Sequence, residues 1–94
     1  MGVRPKKRQR KLPAKLLRIR TALKLSQNQL LRRLDLEPEL DQSSISTYES
    51  GKREPPLYVI LRYAETAGVC ADVLINDDLS LPRKIPANPK YKPC

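Results

Sequence analysis

A chain of 94 residues with a formal charge of +9, no His, and an apolar set of Leu, Ile, Val and Ala joined by four Tyr and no Phe or Trp excludes several classes at once. One small helical domain with a thin core fits that length; no apolar run approaches the roughly 18 residues of a membrane span and no signal-peptide core follows the basic start, so a cytoplasmic protein with no membrane partner is expected. Without His, without a nucleophile set beside a base and without a Gly-rich phosphate loop, no enzyme, cofactor or metal site is expected.

The first segment, residues 1–11, carries Arg4, Lys6, Lys7, Arg8, Arg10 and Lys11 and no acid, and residues 82–94 carry Arg83, Lys84, Lys90 and Lys92 and no acid. Between them, residues 12–81 hold nine basic side chains against all ten acidic ones. A near-neutral domain between basic arms is the balance expected of a nucleic-acid binder whose arms add phosphate contacts to a separately specific module. The plainer alternative is that the arms only keep the protein soluble. Both arms are poor in bulky apolar residues, and the second holds Pro82, Pro86, Pro89 and Pro93, so both are expected to be disordered on their own. The resulting division is a basic N-terminal arm at 1–12, a folded domain at 13–81 and a Pro-rich basic tail at 82–94.

The first helix is expected from about Pro13, tolerated in a first turn, to about Leu25. On a helical wheel Ile19 and Leu23 fall within roughly 60° of Leu16, and Arg20 at roughly 40°, so Arg20 points at the core and Arg18 away from it. The second helix opens at Ser26 with Gln29 three residues on, the capping-box pattern, and buries Leu30, Leu31 and Leu34 while Asn28, Arg32 and Arg33 flank them. Pro38 and the alternating acids from Asp35 to Asp41 read as a loop. Asp41 is then the N-cap of a third helix from Gln42 to about Ser50, stopped by a left-handed Gly51.

On that third helix, with Ile45 at zero, Tyr48 lies at roughly −60° and Glu49 at roughly +40°, while Ser43 and Thr47 lie near the opposite pole with Ser46 and Ser50 beside them. An inward carboxylate needs a partner, and Arg20 is the cation that the same test puts on a core face, so an Arg20–Glu49 salt bridge is expected. Pro55 and Pro56 lead into a fourth helix, Leu57 to Ala67, with Leu57, Ile60, Leu61 and Ala64 on its inner face and Gly68 as its stop. A short fifth helix, about Ala71 to Ile75, contributes Val73, Leu74 and Ile75 to the core. Cys70 and Cys94 have no metal-ligand spacing and are read as free thiols, Cys70 as a small packing or capping residue.

Arg20, Leu25-Ser26-Gln27, Leu30, Ile45-Ser46, Tyr48-Glu49, Gly51-Lys52-Arg53, Pro55, Leu61, Ala64 and Gly68-Val69 resemble, in order and spacing, the signature of the Xre and phage-repressor helix-turn-helix family, across roughly residues 13–77. The resemblance implies an all-α, five-helix repressor-like domain that binds double-stranded DNA with the helix at about 42–50 in the major groove. Carried over by position, it places Gln42, Ser43, Ser46 and Thr47 at base edges, Gln27, Lys52 and Arg53 at phosphates, and the family's inward ion pair on Arg20 and Glu49. Gln can offer a donor and an acceptor to adenine, and Ser or Thr either role, whereas long cations would hold any sequence. Backbone amides near Gln27 and after Gly51 suit phosphate oxygens.

Three departures stand out. Leu31 occupies the position of the family's usual small Ala, Asp35 that of the turn's usual Gly, and the stretch from Leu34 to Ile45 is about four residues longer than the common pattern, an extended acidic turn inside the helix-turn-helix. The function implied is a sequence-specific transcriptional regulator of bacterial or phage type, acting at the nucleoid as a homodimer on DNA, with Val73, Ile75 and Leu79 as the candidate dimer surface. The alternative is a protein-interaction module, an antitoxin or adaptor, on the same fold.

Overall fold

The computed structural model describes residues 10–85. Over that span the chain forms α1 (Leu12–Ala22), α2 (Gln27–Arg33), α3 (Gln42–Ser50), α4 (Leu57–Ala67) and α5 (Ala71–Ile75), with no strand among the described residues. One continuous core holds them together, built on Leu16, Ile19, Leu30, Leu34, Ile45, Val59, Tyr63 and Leu74. Helix α1 runs through the middle and touches α3, α4 and α5, while α2 packs on α3.

The helix boundaries follow local chemistry. Ser26 caps α2 with a complete capping box: Gln29 N donates to Ser26 Oγ at 3.1 Å and Ser26 N donates to Gln29 Oε1 at 2.8 Å. Asp41 caps α3, its carboxylate accepting from Ser44 N at 3.1 Å. At the other ends one device recurs, in which a left-handed residue turns the chain and the next amide reaches back to close the last turn. Gly51 (φ 78°) and Gly68 (φ 71°) do this for α3 and α4 at no steric cost.

Lys24 and Asp35, both at φ 58°, do it for α1 and α2. Leu25 N donates to Arg20 O and Leu36 N to Leu31 O, each at 3.2 Å. The left-handed turn at Lys24 ends α1 at Ala22 rather than near Leu25. Asp35, standing where the resembling family carries Gly, adopts the backbone Gly would, which a short polar side chain tolerates better than most. The long acidic turn that follows is anchored rather than loose. Leu36 is 3 % exposed within the core and Leu40 packs against it, while Asp35, Glu37 and Glu39 face solvent.

Helix α4 differs from expectation in its face rather than its length. Val59, Ile60, Tyr63, Ala64 and Ala67 are buried, whereas Leu57 and Leu61 are 77 % and 46 % exposed. In the run Leu-Tyr-Val-Ile-Leu-Arg-Tyr-Ala nearly every position is apolar, so periodicity alone does not choose the stripe; packing on α1 and α5 chooses the Val59–Tyr63–Ala67 row. Tyr63 is fully buried beside Arg20 and Glu49, burial raises its phenol well above tyrosine's ordinary range, and its hydroxyl has no hydrogen-bond partner among the described residues. In α5 Leu74 is fully buried, while Val73 and Ile75 pack against the core from its edge.

The chain from α5 onward is tied to α1 at two places. Lys15, on the inner side of α1 and only 7 % exposed, donates to Val73 O at 2.6 Å and Asn76 O at 3.0 Å, and burial lowers its pKa. It satisfies the Val73 carbonyl in the last turn of α5 and is a second donor to Asn76 O, which also accepts from Leu79 N at 3.0 Å. Arg18 holds Pro82 O at 2.8 Å and Arg83 O at 3.1 Å, which lays the chain after α5 along α1 with Leu81 and Ile85 buried. Cys70, expected as a free thiol, is disulfide-bonded; the chain's other cysteine, Cys94, lies outside the described residues.

Helix α1 has no side-chain cap of its own. Asp77 supplies the acceptors instead: Arg10 N and Lys11 N donate to its two carboxylate oxygens at 2.9 and 3.1 Å, and these bonds, Arg10's foremost, hold its pKa below the ordinary carboxylate value. The hydroxyl of Ser43, followed by the amide of Ser44, does the same for Asp41. A carboxylate whose pKa is depressed by folding contributes stability above its unfolded pKa and loses it as pH falls through the folded value. The melting temperature should therefore drop below about pH 4, the ordinary aspartate range. Asp77→Asn should lower it at pH 7 and flatten that acid limb; an acid limb of unchanged steepness would show that Asp77 does not cap α1.

Candidate nucleic-acid interface

Helix α3 separates its two sides cleanly. Ile45 and Tyr48 are buried, and Gln42, Ser43, Ser46 and Ser50 are exposed with Thr47 half-buried. Gln27, Asp41, Gln42, Ser43, Ser46 and Thr47 together line one concavity on the surface, so the four side chains singled out on α3 and the one on α2 are neighbours in space. Lys52 and Arg53 follow directly after Gly51 and are exposed.

The inner side of α3 is locked to α1. Arg20 Nε donates to Glu49 Oε2 at 2.7 Å and Arg20 Nη2 to Glu49 Oε1 at 3.2 Å, a fork-on-carboxylate pair with the Glu49 side chain 7 % and the Arg20 side chain 22 % exposed. Arg20 Nη1 also donates to Leu25 O at 3.1 Å, so the same guanidinium closes the chain leaving α1.

The outer side carries polar groups whose free valences are partly spent. Ser43 Oγ donates to Asp41 Oδ1 at 2.6 Å and Thr47 Oγ1 donates to Ser44 O at 2.8 Å. Each hydroxyl has one proton, so both present lone pairs to anything outside, and Thr47 a methyl as well. Gln42 is held from two sides: its Nε2 donates to Gln27 Oε1 and its Oε1 accepts from Asn28 Nδ2, both at 3.2 Å. Gln27 Nε2 in turn donates to Glu49 Oε1 at 3.2 Å.

Two features depart from the sequence expectations. The backbone amides after Gly51, expected to suit phosphate, are used internally: Lys52 N and Arg53 N donate to Thr47 O at 3.1 and 3.4 Å. Any phosphate contact there falls to the Lys52 and Arg53 side chains. Asn28, expected to be a bystander, touches Gln42. The signal for it is in the sequence, a second amide directly after Gln27 at the start of α2.

Of the arm cations, Arg10 and Lys11 are exposed, with backbone amides fixed by Asp77, and Arg4, Lys6, Lys7 and Arg8 lie outside the described residues. Gly51 places the start of α1 beside this interface, since a Cβ built on Gly51 would meet Pro13 Cγ at 3.2 Å. Among the described residues there is no group of His, Cys, Asp or Glu able to hold a metal ion, and no helix long and apolar enough to cross a membrane.

Comparison with curated proteins and with solved structures gives no match. The helix-turn-helix family model matches residues 16–73, from the middle of α1 through most of α5 and thus well over half of the chain. Five helices in this order, a capped α2 and α3 joined by a turn, and a polar face on α3 agree with that match, and the chain belongs to the Xre and lambda-repressor-like helix-turn-helix family of DNA-binding transcription regulators.

Proposed function

We propose that the protein is a sequence-specific transcriptional regulator that lays α3 in the major groove, with Gln42, Ser43, Ser46 and Thr47 facing base edges and Lys52 and Arg53 gripping phosphates. The observation that carries this reading is the division of α3 itself: one side is clamped by a buried ion pair, the other is a set of short, oriented polar groups free of long cations. Short groups of fixed polarity distinguish bases, and cations chiefly bind backbone. Ser43 and Thr47, with their protons committed to Asp41 and to the Ser44 carbonyl, act as acceptors that select exocyclic amino groups, and the Thr47 methyl suits a thymine methyl. The basic N-terminal arm adds phosphate contacts, and the protein acts in the cytoplasm as a homodimer on a two-fold site.

Selection of bound duplexes from a random pool, followed by titration at several salt concentrations, tests this. One sequence should bind well above random duplex at about 150 mM salt, with a log–log salt slope of roughly −0.9 per neutralised phosphate. Removing residues 1–11 should flatten that slope and leave base preference in place. Equal binding of selected and random duplexes would overturn the specific reading. It would favour the adaptor alternative, whose foothold is the exposed Leu57, Tyr58 and Leu61 on α4.

A further inference from the structure

A line of hydrogen bonds runs without a break from the buried ion pair to the polar face of α3: Arg20 to Glu49, Glu49 to Gln27, Gln27 to Gln42, and Gln42 to Asn28. An amide side chain taken alone has no preferred hand, because its oxygen and its NH2 are nearly the same size and exchange places by a half-turn. A carboxylate is different, since it only accepts. Gln27 can meet Glu49 only with its NH2, and this turns the Gln27 oxygen toward Gln42. That oxygen takes only a donor, so Gln42 presents its NH2 to Gln27 and is left with its oxygen toward Asn28.

We propose that Glu49 is a positioning residue that sets, through Gln27, which end of the Gln42 amide faces which way, and thereby which base Gln42 selects. Asn28 closes the line at its far end. The consequence for DNA rests on the reading of α3 as the recognition helix; the order of donors and acceptors belongs to the free protein. After its two internal bonds Gln42 keeps one N–H and one oxygen lone pair. Those are the two valences a bidentate contact to adenine uses, the N–H toward N7 and the oxygen toward the 6-amino group. A reversed amide would set donor against donor.

Glu49→Gln is the informative variant because it changes polarity at nearly constant shape. Arg20 only donates, and its shorter bond, from Nε at 2.7 Å, claims the new oxygen at the Oε2 position; the NH2 then stands at the Oε1 position toward Gln27, and the 3.2 Å bond from Arg20 Nη2 is given up. Each later amide must then turn over: Gln27 offers its oxygen inward, Gln42 reverses, and Asn28 presents Oδ1.

In the free protein, nuclear Overhauser contacts from the Gln42 side-chain NH2 should point to Gln27 in the wild type and to Asn28 in the variant. On DNA, site selection should show the preference at one base position lost or changed by about 5- to 150-fold in Glu49→Gln, the worth of one bidentate pair, with the other positions unchanged. Gln27→Ala, which leaves the ion pair intact, should relax the same position. An unchanged base profile in a folded Glu49→Gln protein overturns the proposal, as does a Gln27→Ala protein that binds every sequence more weakly by the same factor. If Glu49→Gln does not fold, the Gln27→Ala profile and the wild-type contacts decide. If the wild type binds all duplexes alike, the regulator reading fails by itself, while wild-type contacts in the opposite order would still refute the polarity.

Discussion

Replacing Glu49 with alanine should destabilise the domain by about 3 kcal/mol in urea unfolding, with little change in the slope against denaturant. The carboxylate is 7 % exposed and receives two bonds from Arg20 and one from Gln27, so its removal strands a guanidinium donor pair and an amide donor together. The guanidinium itself is 22 % exposed and keeps its bond to Leu25 O, which lets water reach it and holds the cost toward the lower end of the range for a broken buried pair. Tyr63, whose phenol sits next to these charges with no hydrogen-bond partner among the described residues, has a single hydroxyl oxygen and cannot take over as an acceptor for both. A loss below about 1 kcal/mol would mean that the pair behaves like an exposed one.

Leu36→Ala should cost about 2–4 kcal/mol, a core-sized effect from a residue that sequence places in a loop. Its side chain is 3 % exposed in the same cluster as Leu31 and Leu34, and its amide closes the end of α2 on Leu31 O. The extended turn between α2 and α3 therefore sends one apolar stake into the core and keeps its acids outside. Glu37→Ala or Glu39→Ala, changing exposed side chains in the same turn, should stay within about 0.5 kcal/mol. Denaturant melts of the three variants check the contrast, and a Leu36→Ala protein as stable as the Glu variants would show the turn to be unanchored.

What was legible in the sequence was whatever a single residue type decides by itself. Ser26 with Gln29, Asp41 and the two glycines fixed their helix ends because a short oxygen side chain or a missing Cβ has few other uses at those spacings. The inward angle of Glu49 and the shortage of core-facing cations led to Arg20, and the two meet. Lys24 and Asp35 build the same stop as Gly51 and Gly68, yet Asp only tolerates a left-handed backbone and nothing in Lys announces one, so α1 read about three residues too long. Leu57 and Leu61 read as core because α4 is apolar nearly all round, and its packing on α1 and α5 assigns the stripe to Val59 and Tyr63.

The interface was legible as a list and illegible as a network. Wheel angles and the family pattern named Gln27 and Gln42, but neither says that the two side chains bond to each other, that Asn28 joins them or that Ser43 spends its proton on Asp41. Those links cross between α2 and α3 and depend on how closely the helices approach. Lys15 hid for a similar reason: a lysine on an apolar face passes for a solvated edge until α5 brings two carbonyls to its ammonium.

The contact between Gly51 and Pro13 has a mechanical consequence for the proposed complex. With Pro13 lying 3.2 Å from where a Gly51 side chain would begin, and with Arg10 and Lys11 pinned by Asp77, the root of the basic arm and the end of the reading helix cannot slide past one another. The arm's point of departure is thus clocked to the helix. A protein seated one base pair out of place brings its arm to the next phosphates in step, so the arm holds every register alike and discrimination between registers is left to the groove.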